Sequence, residues 1–123
     1  MGVEFAVTIA IAVFFLGMGI YALAAPGTLV RPFGIVLESP VSRSEVRAVY
    51  GGFGLAIAAV LGYAVFREGD VRKGILITVG VALLGMALGR IVSALVDART
   101  PFYPNWFYFI VEAVAATALF AVA

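Results

Sequence analysis

The sequence predicts an all-α integral membrane protein, a four-helix bundle with both termini on the same side. Three observations carry that prediction. The 123 residues are 64% hydrophobic and 12% charged, with mean hydropathy +1.16. Soluble domains average roughly 45–50% apolar and about 25% charged residues. The apolar residues also gather into four segments, each close to the about 20 residues that a spanning helix needs. Clusters of Pro, Gly and charged residues separate these segments. The length fits a single domain, 1–123.

The first span covers residues 5–25. Ala22-Leu23-Ala24 has the small-residue spacing of a signal-peptide cleavage site. The segment before the span, however, carries Glu4 and no Lys or Arg, and the apolar run is longer than a signal peptide's core. A retained helix is expected. The connection from Pro26 to Ser44 is long and mostly apolar over Thr28–Leu37. It is expected to lie along the interface or fold over the mouth of the bundle.

The second span covers residues 45–66. Ser42 and Glu45 have the spacing of a capping box at its start. The third covers 74–96, with Asp70 as its expected N-cap. The fourth covers 104–123. Phe102, Tyr103, Trp106, Phe107 and Tyr108 form an aromatic belt at its beginning. Gly85 and Gly89 form a G-x-x-x-G pair, and Gly51, Gly52 and Gly54 cluster in the second span. Small residues let helix backbones approach closely. The expected use is packing within the bundle, with a dimer interface as the alternative.

Four spans place both termini and the loop Arg67–Lys73 on one side. The long connection and the Asp97–Pro104 turn lie on the other. Basic residues outside the spans number three on each side: Arg67, Arg72 and Lys73 against Arg31, Arg43 and Arg99. The tighter cluster favours a cytoplasmic location for the termini.

Several chemistries are excluded. The chain has no Cys and no His, which removes disulfides, thiol redox chemistry, histidine-ligated haem and a histidine base. No metal site is expected. The net charge of +1 provides no field to attract nucleic acid.

Two charges interrupt the apolar spans, Arg90 in the third and Glu112 in the fourth. An ionisable residue at such depth is costly and marks a candidate site. At 1.5 Å per residue, Glu112 lies about 10 Å in from Asn105, and Arg90 about 10 Å in from Asp97. The two helices meet at the same turn, so the charges share a depth, and an ion pair is expected, either direct or bridged by a water or a Tyr hydroxyl. Asp97 follows Arg90 by seven residues, on nearly the same face. Arg47, Tyr50 and Gly51 share a face of the second span. The expected polar network, or ligand-binding site, is Glu45, Arg47, Tyr50, Arg90, Asp97 and Glu112. Each also has a plain structural use: a cap for Glu45, an interfacial anchor for Arg47 and Tyr50, a helix end for Asp97, and a packing lock for the pair.

The run Ser44-Glu45-Val46-Arg47-Ala48-Val49-Tyr50-Gly51-Gly52 resembles the E-x-R-A-x-Y-G-G signature of a DoxX-like group of small bacterial four-helix membrane proteins, catalogued as domain of unknown function 4345. Gly89-Arg90 with Asp97 resembles that group's G-R…D-G-x-P stretch, and Glu112 its last-helix acid. The D-G-x-P turn is here Asp97-Ala98-Arg99-Thr100-Pro101, a departure from the pattern. The resemblance implies a four-helix fold and a bacterial inner-membrane location, and brings no established activity.

Two classes of function follow. The first is an accessory subunit of a membrane complex, or a binder of a lipid- or quinone-like amphipath, with lipid, a larger complex or a second copy as partner. Such a protein needs no cofactor beyond that lipid or quinone. The alternative is an intramembrane isomerase or quinone-linked oxidoreductase, with Glu112 or Asp97 as acid–base. A coupled transporter fits least, because only Glu4 supplies a charge toward the other side.

Overall fold

The computed structural model describes residues 2–123. Among them the chain is helical, with no strand. Helix α1 (Val3–Ala24) ends where Ala25 adopts φ −142° ahead of Pro26. A residue before proline disfavours the helical conformation, which explains the break. Pro26 then opens the short α2 (Pro26–Val30), where a missing N–H costs nothing. One tighter turn, Arg31–Phe33, follows. Gly34 closes it in the left-handed region at φ 75° and donates its N–H to the Arg31 carbonyl.

Helix α3 (Pro40–Val65) begins five residues earlier than the apolar pattern indicates. Its cap corrects the sequence reading. Ser39 is the N-cap, and Ser42 closes the capping box from the third helical position. Glu45 lies a turn further on and takes no part. Over Arg47–Gly52 the helix widens by one residue, so that the Phe53 N–H donates to the Ala48 carbonyl. Helix α4 (Gly69–Val96) is also longer than expected at its start. Asp70 sits in its first turn, where its charge suits the positive end of the helix dipole, and no side chain caps this end. The last helix, α5 (Phe107–Val122), follows an irregular turn over Phe102–Trp106 with Tyr103 extended.

The spanning lengths are Val3–Ala24, Pro40–Val65, Gly69–Val96 and Phe102–Val122, each apolar enough to cross a membrane. They run alternately up and down, so both chain ends lie at one end of the bundle. The closest partners are α1 with α3, and α4 with α5; α1 also touches α5, and α3 touches α4. In the α1–α3 pair the backbones nearly touch. A Cβ built on Gly19 would stand 2.9 Å from the Gly51 carbonyl, and one on Gly54 would stand 3.2 Å from the Phe15 carbonyl.

The packed core occupies the half nearer the termini. It consists of Ile11 and Phe15 from α1, Ala58 and Leu61 from α3, Leu76, Val79 and Leu83 from α4, and Ala116 and Leu119 from α5. Many large apolar side chains face outward instead, such as Val13 at 59% and Val92 at 57% exposure. Buried polar groups are few. The Thr8 hydroxyl donates to the Glu4 carbonyl at 2.7 Å, which satisfies it within its own helix. An outer surface this apolar, over helices this long, fits a hydrocarbon surrounding.

Gly85 and Gly89 depart from expectation. A Cβ at either position would meet nothing within 4 Å. The pair therefore takes no part in packing the bundle. The glycines that do so are Gly19, Gly51 and Gly54, and also Gly80, against which Phe120 packs.

Candidate functional site

In the half of the bundle away from the termini, the core gives way to a cavity of about 290 Å³. Helices α1, α3, α4 and α5 supply its walls, and Thr28–Phe33 of the long connection covers it. The connection thus folds over the mouth of the bundle. The proline-punctuated turns at Pro26 and Pro32 bend the chain back over α1, and Phe33 packs on Tyr108 with ring centroids 5.5 Å apart.

Arg90 and Glu112 face each other at the polar end of this cavity. Arg90 Nε donates to Glu112 Oε1 at 2.8 Å, and Nη2 donates to Oε2 at 2.9 Å. This is the two-pronged geometry in which a guanidinium matches a carboxylate best. A third donor, Nη1, reaches Asn105 Oδ1 at 3.2 Å. The rings of Phe33 and Tyr108 stand beside the cation, each centroid 5.9 Å from Cζ, within range of a cation–π attraction. The Glu112 side chain is 5% exposed and that of Arg90 is 21%. The carboxylate is therefore held entirely by protein, and the Arg90 side chain stays partly exposed.

The six expected site residues do not form one network. Arg90 and Glu112 pair directly. Tyr50 lines the same cavity from α3. Arg47 turns away and donates from Nε to the Leu23 carbonyl at 3.0 Å, near the end of α1. That bond ties α3 to the last turn of α1, where Gly51 lies against Leu23. Glu45 is exposed and makes no side-chain hydrogen bond among the described residues. Asp97 is exposed at the end of α4 and accepts only from the Ser93 hydroxyl, at 3.3 Å. Asn105, not Asp97, holds the outer side of Arg90. The physical reason is that α4 leaves helical geometry at Asp97, with φ −113° and ψ 172°, so the seven-residue face relation to Arg90 ends there.

Sequence reasoning also missed Asn105, Tyr108 and Phe33. Tyr108 carried a signal, since it precedes Glu112 by four residues on the same helical face. Asn105 lies in the irregular turn before α5, and only the fold of the connection brings Phe33 to α5, so neither of these carried one.

A second cavity of about 1000 Å³ lies outside the first, on the loop side. The two share Pro32, Phe33 and Tyr103 as a common wall. The outer space is more polar, with Asp97, Arg99, Thr100 and Asn105 around it. No group of three or more His, Cys, Asp or Glu side chains among the described residues is arranged to hold a metal ion.

Residues 4–123 match the family described as Domain of unknown function (DUF4345), nearly the whole chain. The chain belongs to that family. No curated protein and no solved structure matches it.

Proposed function

We propose that this member of the DUF4345 family binds a small amphipathic molecule, lipid- or quinone-like, inside its bundle. The cavity beneath Thr28–Phe33 carries this reading. It joins an apolar compartment to a charged pair whose Arg90 member stays partly exposed, the combination that recognises an amphipath. The polar end of the ligand would meet Arg90, Tyr50 and Tyr108. Its apolar part would lie against Phe14, Phe15 and Met86. The volume, about 290 Å³, lies just below the about 300–1,000 Å³ usual for ligand sites, so one ring system or one short chain is the fitting size. Residues Thr28–Phe33 act as the cover, and the outer polar space acts as the approach.

The setting that fits this reading is a bacterial inner membrane. The end with both termini and Arg67, Arg72 and Lys73 would face the cytoplasm, where basic loops are favoured. The cavity would then open toward the opposite face.

Purification in a mild detergent, followed by mass spectrometry of what remains bound, tests the proposal. Gly17→Leu supplies the matched control. Gly17 lines the cavity, and a Cβ there meets nothing within 4 Å, so the backbone accepts a side chain at this position, and leucine is expected to narrow the space. The expected result is a stoichiometric small amphipath with the natural protein and much less with Gly17→Leu. Equal retention by both, or none by either, would sink the reading.

A further inference from the structure

We propose that the ligand's polar end is an uncharged hydrogen-bond acceptor of the carbonyl class, and that anionic head groups are rejected. This rests on the cavity being the ligand site. It adds the charge class of the ligand, which the unused donors of Arg90 and the charge balance of the cavity wall select.

A guanidinium has five N–H donors. Glu112 takes two of them, one from Nε and one from Nη2, and Asn105 takes one from Nη1. One N–H on Nη1 and one on Nη2 stay without a protein partner among the described residues. Arg90 keeps 21% of its side chain exposed and lines the cavity. An acceptor that enters the cavity beside Arg90 can therefore take a hydrogen bond from this guanidinium.

Charge decides what kind of acceptor. Among the residues lining the cavity, Arg90 is the only cation and Glu112 the only anion. They face each other at 2.8 Å, so the wall is neutral as a whole. Arg47 spends its Nε on Leu23 and is absent from the lining, as is Arg31 on the cover. Glu112 already balances Arg90, so a carboxylate or phosphate there would leave the site with a net negative charge and no second cation to offset it. Taking that uncompensated charge out of water is costly. A neutral carbonyl or ester oxygen gains hydrogen bonding from Arg90 without that cost. The tyrosines at positions 50, 103 and 108 also line this end. Their hydroxyls can donate to the same oxygen.

The test uses a photoreactive ketone and three competitors of one chain length. Benzophenone is irradiated with the purified protein in micelles at pH 8, and labelled peptides are mapped. Saturable labelling at cavity residues such as Met18 or Met86 is expected. Methyl octanoate, octanoate and octane then compete, each expressed as its concentration within the micelle. The ester should displace the label at about tenfold lower concentration than either of the others, the value of roughly one charged-donor hydrogen bond. In the Arg90→Met, Glu112→Leu double variant the ester's advantage over octane should disappear. Octanoate competing as well as the ester, or better, would overturn the proposal and leave the cavity reading intact. Octane equalling the ester would overturn it too, by showing that no head group is recognised. An absence of saturable cavity labelling would remove the binding function itself, and this inference with it.

Discussion

Replacing Arg90 by methionine strands a carboxylate. Glu112 is 4% exposed, and both of its oxygens accept from Arg90 at 2.8 and 2.9 Å. Nothing else among the described residues donates to them. Removing one partner of such a buried pair costs about 3–5 kcal/mol. Asn105 loses its donor in the same step, which adds about 1 kcal/mol. The reverse deletion, Glu112→Leu, should cost less. Arg90 keeps Asn105, the rings of Phe33 and Tyr108, and its partial exposure, so the stranded charge is better served. The double variant Arg90→Met, Glu112→Leu leaves apolar side chains of similar bulk and should lie within about 2 kcal/mol of the natural protein, since replacing a buried pair by well-packed apolar residues is often neutral. A double-mutant cycle measures this. Unfolding by a denaturing detergent in mixed micelles can be followed through Trp106, the one tryptophan of the chain, which packs against Phe109. The expected order of stability is natural protein and double variant, then Glu112→Leu, then Arg90→Met. If Arg90→Met and the double variant are equally unstable, the stranded carboxylate is not the cause of the loss and the argument fails.

Three further outcomes follow from the packing and the caps. Gly19→Ala should destabilise by about 1–3 kcal/mol, because the added methyl meets the Gly51 carbonyl. Gly85→Ala, facing open space, should be neutral or stabilise by up to about 1 kcal/mol through helix propensity; thermal unfolding of the two variants under one condition checks the contrast. Ser39→Ala removes the cap of α3 and should cost about 0.5–2 kcal/mol, while Glu45→Ala should change little; equal losses for both would restore the Ser42–Glu45 cap. Asn105→Leu leaves the Arg90–Glu112 pair in place and removes one acceptor, so a loss of about 1–2 kcal/mol in the same detergent titration is expected, well below that of Arg90→Met.

How much of this was legible in the chain differs from residue to residue. Arg90 and Glu112 announced themselves as ionisable groups in apolar spans. Depth counting then put them at one level, because two helices that share a turn must run side by side. Asp97 had the right spacing and the wrong backbone: a face relation of seven residues holds only while the helix continues, and α4 stops there. Glu45 lost its cap to Ser39, since a Ser-Pro pair sets a helix start more firmly than an acid further along. Gly85 and Gly89 had the right motif and no neighbour. Spacing on one helix says that a close approach is possible, and not which surface makes it.

The amino-acid sequence by itself determined the class and the topology of this protein. Four apolar segments of spanning length leave backbone groups that only helices can satisfy in a membrane, and their number fixes both termini at one end. It also determined where charge would be expensive. Tertiary structure alone decided what those charges face. The close crossing of α1 and α3 at Gly19, Gly51 and Gly54, the packed core near the termini and the return of Thr28–Phe33 across the opposite end together leave a space beside Arg90. Each of these depends on contacts between residues far apart in the chain, which no local pattern encodes.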